Sequence, residues 1–177
     1  MQKVTHKFQK YLYFCVILIF LSVPKIHSFD FEYDHDYTLI GIHSALEDFR
    51  LAYFLNKNLD LYLERFKEDL DFPALNCRFS LFNCKDEITL TSWSLIANRH
   101  VSVFNVVPSG DNLFGEETKV YHLIPEKKQV DYFIKINGAI EHDELQKILT
   151  KINNTNKIIT SYTINPNDLI SKDYLIF

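Results

Sequence analysis

Between Arg78 and Ile136 the apolar residues come in runs that match strands in length, each closed by a polar or proline-marked break. The runs are "RFSLF" (78–82), "ITLTSWSLI" (88–96), "VSVFNVV" (101–107), "KVYHLI" (119–124) and "VDYFIKI" (130–136). Breaks fall at Asp86-Glu87, Asn98-Arg99 and Pro108-Ser109-Gly110. Such a series predicts consecutive antiparallel strands. In the last run Val130, Tyr132, Ile134 and Ile136 alternate with Asp131, Phe133 and Lys135, which predicts that "KVYHLI" and "VDYFIKI" form a hairpin around the polar stretch 126–129. Pro125, lacking an amide hydrogen, suits the end of the first of them.

Helical spacing appears on either side of this β-rich middle. "YTLIGIH" (37–43) has strand length, and Ser44 and Glu47 after it have the spacing of a capping box. The helix it predicts carries Ala45, Leu46, Phe49, Ala52 and Tyr53 on one face and stops near Asn56-Lys57-Asn58. "LYLERF" (61–66) is read as the returning strand. A second unit follows the middle: Leu145, Ile148, Leu149 and Ile152 recur at helical spacing behind Glu141, Asp143 and Glu144, and "KIITSYTI" (157–164) reads as a strand. The expected fold is α+β, a single domain over 37–177, mostly antiparallel, with two strand-helix-strand units of ferredoxin-like type. A hydrophobic content of 47%, with no Gly- or Pro-rich linker, fits one core.

The charge is uneven along the chain. Residues 1–28 hold Lys3, Lys7, Lys10 and Lys25 and no acid, so 15 basic residues face 23 acidic ones from Phe29 onward. The basic residues are scattered, which gives a phosphate backbone little footing and disfavours nucleic acid as a partner. Tyr11–Val23 is apolar but for Ser22. Its 13 residues fall short of the roughly 20 that cross a bilayer, and the lysines before it resemble a secretory signal. Ile26-His27-Ser28 is a poor cleavage site, however, and nothing else demands an oxidising compartment. Cys77 and Cys84 are separated by about 23 Å of extended chain if "RFSLFNC" is a strand, so they read as two half-buried thiols. The expected location is cytoplasmic, with export as the alternative.

Candidate sites are few. In "FDFEYDHDY" (29–37) Asp30, Glu32, Asp34 and Asp36 fall on one side of an extended chain. A calcium loop counted from Asp30 would need Gly at its sixth position and Glu at its twelfth, where His35 and Gly41 stand, so 23–36 reads as an acidic, aromatic interaction arm. The histidines lack zinc spacing, and no metal or cofactor is expected. His43 beside Ser44 lacks the G-x-S-x-G context of a hydrolase, and His142 sits among acids that complement a helix dipole. Trp93 reads as a core strand residue. Four glycines leave little material for a phosphate loop.

"IPEKKQVDY" (124–132) resembles the signature of the IPExxxVDY family of small bacterial proteins, through Ile124, Pro125, Glu126, Val130, Asp131 and Tyr132. "LEDFRLAYFLN" (46–56) and the final "LIF" are similar to the same family, so the resemblance spans roughly residues 37–177. It implies no reaction, ligand or catalytic residue. It also implies a start near the "KIHSFDFEYD" segment, which makes residues 1–22 an extension foreign to the family, with initiation expected near Val23. Two function classes remain. The leading one is a non-catalytic domain that binds a protein partner or itself; the alternative is a small enzyme using acid–base chemistry at Glu126, Asp131 and His122.

Overall fold

The computed structural model describes residues 36–105 and 116–177. The proposed leader 1–22 and the arm carboxylates Asp30, Glu32 and Asp34 lie outside the described residues; Asp36 is exposed at the start of the first strand.

Strand β1 (Tyr37–Ser44) is central to the architecture. It pairs antiparallel with β10 (Ile158–Ile164) on one side and with β9 (Tyr132–Asn137) on the other. β9 in turn pairs with β6 (Thr91–Ala97), β6 with β5 (Leu81–Asp86), and β5 with the two-residue β2 (Glu64–Arg65). The resulting order, β10-β1-β9-β6-β5-β2, is antiparallel throughout. Helices α1 (Asp48–Leu59) and α2 (His142–Asn153) pack against the same side of it. This is the α+β, mostly antiparallel domain expected.

Both strand-helix-strand units are present in chain order, but only the second is well developed. β9-α2-β10 places two parallel strands on either side of β1. In the first unit the returning strand shrinks to Glu64 and Arg65 at the far edge of the sheet. The capping box does not form. Ser44 still belongs to β1, its Oγ accepts the Leu46 amide at 3.2 Å, and this local turn delays the helix until Glu47 becomes its N-cap. With the later start the inward face is rotated: Leu46 and Ala52 of the expected face are buried, but Ala45, Phe49 and Tyr53 are not. Leu51, Ala52 and Leu55 are buried, while Phe49 and Tyr53 are 56% and 62% exposed. Leu51 and Leu55 together present more aliphatic surface than the expected face did, and tertiary burial selects them. For α2 the expected face is correct: Ile148 and Ile152 are buried with Leu145 and Leu149 packed beside them.

The expected hairpin between "KVYHLI" and "VDYFIKI" is not formed. β8 (Glu116–His122) instead pairs with β7 (Arg99–Asn105) as a separate two-stranded ribbon, and β9 joins the main sheet. "RFSLF" likewise divides at Ser80: β4 (Cys77–Phe79) pairs with β3 (Leu70–Phe72), and β5 pairs with β6. The break lets the chain pass from the small β3–β4 layer to the main sheet. Cys77 is buried, Cys84 half-buried, and both are free thiols.

The sheet has a core on each face. Ile40, Ile42, Trp93, Leu95, Ile134 and Ile136 meet the helices. Leu39, Leu81, Ile96 and Phe133 face the opposite way, beneath Leu123, Ile124, Val130, Leu169 and Leu175. The alternation of apolar and polar residues expected of "VDYFIKI" thus gives way to burial on both sides. Gly41 is required here, because a Cβ would lie 2.8 Å from Ile164 Cδ1 and 3.3 Å from Val130 Cγ2. The β10 edge is also managed. Asn153, at the end of α2, accepts the Ser161 amide at 2.6 Å and donates towards its carbonyl at 3.4 Å, much as a neighbouring strand would.

Candidate functional site

The IPExxxVDY-like residues are brought together around a residue that is not among them. Asn98 is 0% exposed, at the crossover from β6 to β7. Its side chain accepts the Ile124 amide at 2.8 Å and donates to the carbonyls of Lys127 at 2.9 Å and Val130 at 2.8 Å. Its backbone donates to Asp131 O and accepts from Leu123 N, both at 2.9 Å. Every polar atom of Asn98 is thus spent on the stretch 123–131. A buried irregular segment needs such partners, since its own backbone cannot supply them.

Each signature position then has a local reason. Ile124 and Val130 are buried in the second core, and Val130 packs into the space left by Gly41. Pro125 opens a 3-10 turn, Pro125–Lys127, at a position that needs no amide hydrogen. Glu126 reaches across to Ser171, accepting its amide at 2.8 Å and its hydroxyl at 3.1 Å. Burial works against the Glu126 charge, but the hydrogen bonds from Ser171 outweigh it and hold the carboxyl below its ordinary pKa. Asp131 accepts the Ser44 amide at 2.9 Å, and Tyr132 donates its hydroxyl to Leu46 O at 2.6 Å. The two acids flank the stretch and clamp different parts of the chain, 44 and 171.

Glu126, Asp131 and His122 therefore do not share one task. His122 is half-buried; burial lowers its pKa, Lys128 and Arg99 lower it further, and Asp131 opposes them. That electrostatic link to Asp131 is what an acid–base reading could use, yet the Asp131 carboxylate already holds a backbone amide. His43 stacks on Tyr162 with ring centres 5.7 Å apart, while Ser44 donates to Lys157 O at 3.1 Å. His142 is exposed among the first-turn acids of α2. Among the described residues no group of three or more His, Cys, Asp or Glu could hold a metal ion, and no helix is long and apolar enough to cross a membrane.

A cleft of about 980 Å³ lies elsewhere, between α2, the end of α1 and the β5–β6 turn. Its apolar lining comes from Leu59, Leu61, Trp93, Ile140 and Ile148. Five carboxylates, Asp60, Asp86, Glu141, Asp143 and Glu144, line it against two lysines, Lys147 and Lys151. Asp86 is held by its own turn: hydrogen bonds from Thr89 and from the Ile88 amide keep its carboxyl below the ordinary range. The same turn thrusts Ile88 and Leu90 outward, 94% and 84% exposed. Trp93, the single tryptophan, donates its Nε1 hydrogen to Thr91 Oγ1 at 3.2 Å within this lining.

Sequence reasoning missed both features. Asn98 reads as a strand break, and the cleft joins residues from three segments separated by up to 92 positions (Leu59 to Lys151). Comparison with protein-family models, curated proteins and solved structures returns no match.

Proposed function

We propose that this chain is a non-catalytic binding domain of IPExxxVDY type, which receives a basic, amphipathic segment of a partner protein in the cleft beside α2. The observation that carries the reading is the cleft's composition: an apolar lining with five carboxylates against two lysines, beside two aliphatic side chains left almost wholly in water. Isolated exposed aliphatics need no explanation, but a pair at a turn bordering a cleft supports a contact surface. The excess of carboxylates selects lysine- or arginine-rich partners and repels nucleic acid. Each of the six signature positions has a defined place in the fold, three of them bonded to Asn98, which supports the resemblance. The two free thiols fit a cytoplasmic location.

Trp93 supplies the test, because it lines the cleft. Its fluorescence is expected to change on titration with a helical Leu/Lys model peptide and not with the Leu/Glu counterpart, and the response should weaken with salt. Asp143→Lys combined with Glu144→Lys should cost about tenfold in affinity, and Ile88→Ser with Leu90→Ser a similar amount. Equal binding of both peptides, or indifference to both pairs of substitutions, would sink the reading.

A further inference from the structure

On the face of the sheet away from the helices, two cross-strand rows are polar. Leu81, Ile96 and Phe133 lie side by side on β5, β6 and β9 as part of the second core. Two residues further along, the row is Asn83, Ser94 and Lys135, and the next is Lys85, Ser92 and Asn137. Lys135 is only 6% exposed. Its Nζ donates to Leu175 O at 2.6 Å and lies 4.8 and 4.7 Å from the ring centres of Tyr37 and Phe177. Among the described residues no carboxylate stands within ion-pair distance of it, and burial pushes its pKa down. An ammonium buried without a counter-charge is costly, and here it is held by one carbonyl and two ring faces.

A cleft of about 290 Å³ opens over these rows. Asn83, Ser94 and Lys85 line it on the polar side, and Phe66, Leu70 and Phe177 on the apolar side. Asn83 lines the cleft, and its Oδ1 is buried without a hydrogen-bond partner. The polar wall therefore comprises an asparagine amide, a serine hydroxyl and a lysine ammonium, with the Lys135 charge behind them. Glu68 and Asp69 also border the cleft, and Asp69 is tied to Arg65 at 2.6 Å. Their presence disfavours a multiply charged anion.

We propose that this cleft binds a small organic monocarboxylate with an apolar body, its carboxylate on Asn83, Ser94 and Lys85 in the field of Lys135 and its body against Phe66, Leu70 and Phe177. The volume is at the small end of ligand sites. The two clefts share only Trp93 among their lining residues and take different ligands, so either can fail without the other.

Isothermal titration of the full chain with phenylacetate, benzyl alcohol and inorganic phosphate tests it. Phenylacetate should saturate at millimolar concentrations, with benzyl alcohol and phosphate each about tenfold weaker or undetectable. Lys135→Met should fold with a lower Tm, because the buried Leu175 carbonyl loses its donor, and bind phenylacetate about tenfold more weakly. Should that variant not fold, the solvent-exposed Lys85→Met carries the same expectation at about threefold. Absence of saturation by about 20 mM phenylacetate, equal binding of benzyl alcohol, or unchanged affinity in the folded variants overturns the proposal.

Discussion

The two faces of the sheet are covered by different kinds of backbone. On one, α1 and α2 satisfy their own amides and carbonyls, so Ile40, Leu95 and Ile134 need meet only apolar side chains such as Leu51, Leu55 and Ile152. On the other, the cover includes short 3-10 turns, Pro125–Lys127, Pro166–Asp168 and Lys172–Leu175, whose backbone groups must find partners. Individual side chains supply them: Asn98 for 124–130, Glu126 for Ser171, Lys135 for Leu175. Helical cover depends on shape distributed over many residues. Irregular cover depends on a few polar atoms, so its sensitivity to substitution should be concentrated in them.

Asn98→Ala is the sharpest way to break that contrast. It strands the Ile124 amide and the Val130 carbonyl in a buried place, while the part-buried Lys127 carbonyl keeps the Val130 amide as a donor, and unmet groups of this kind cost about 1–3 kcal/mol each. A loss of about 4 kcal/mol in urea unfolding is expected, with the signature stretch losing amide-exchange protection first. On the helical face Ile152→Ala should cost about 3 kcal/mol by leaving a cavity, with a uniform loss of protection. If Ile152→Ala proves the more damaging, or Asn98→Ala loosens the helices as soon as the turns, the division between faces is wrong.

Glu126→Gln should come next, at about 1–2 kcal/mol, because the amide keeps an acceptor for Ser171 but loses the charge that strengthens the bond. The folded carboxyl titrates below its ordinary value of 4.5, so the stability it contributes is present above that pH and lost as pH falls through the lowered pKa. Acid unfolding of the wild type should therefore include a component between the two values that Glu126→Gln lacks. Identical acid slopes would show that Ser171 does not depend on the charge.

The same contrast explains what could be read from the chain. α2 was legible to its individual buried residues, because Leu145, Ile148, Leu149 and Ile152 form one unambiguous stripe. α1 was legible as a helix but not in its orientation: two overlapping stripes compete, and Ser44 delays the start. The strands of the middle were found, yet their partners were not, since nothing local says that "KVYHLI" turns back to β7 rather than forward to β9. Asn98 decides that, by tying the stretch 123–131 to the β6–β7 crossover. A lone asparagine between two apolar runs carries no sign of this. Lys135 likewise stands in an alternating pattern as an ordinary outward lysine, and only the cover formed by Tyr37, Leu175 and Phe177 buries it.

Tyr132→Phe gives the smallest expected effect and the finest distinction. Its hydroxyl joins β9 to the β1–α1 turn through Leu46 O, a single neutral bond worth about 1 kcal/mol. Burial, with the charges of Asp48, Asp131 and Glu47, pushes the phenol from 10.0 up to about 12. Below pH 10 the phenol is protonated in both folded and unfolded chains, and its contribution is complete. Between 10 and about 12 the unfolded phenol ionises while the folded one keeps its proton, so stability falls as pH rises. Tyr37 is also raised to about 12, and its decline is common to wild type and variant. Lys135 acts in the opposite sense at lower pH. Its lowered pKa makes stability rise with pH between that value and the unfolded 10.5, again in both proteins. The difference between wild type and Tyr132→Phe thus isolates one hydroxyl. It should be about 1 kcal/mol near pH 8, and should close and then reverse as pH rises from 10 towards 12. Absence of a gap near pH 8 would mean that the tyrosine contributes by ring packing alone, and that the β1–α1 turn is held by Asp131 and Ser44 without its hydroxyl.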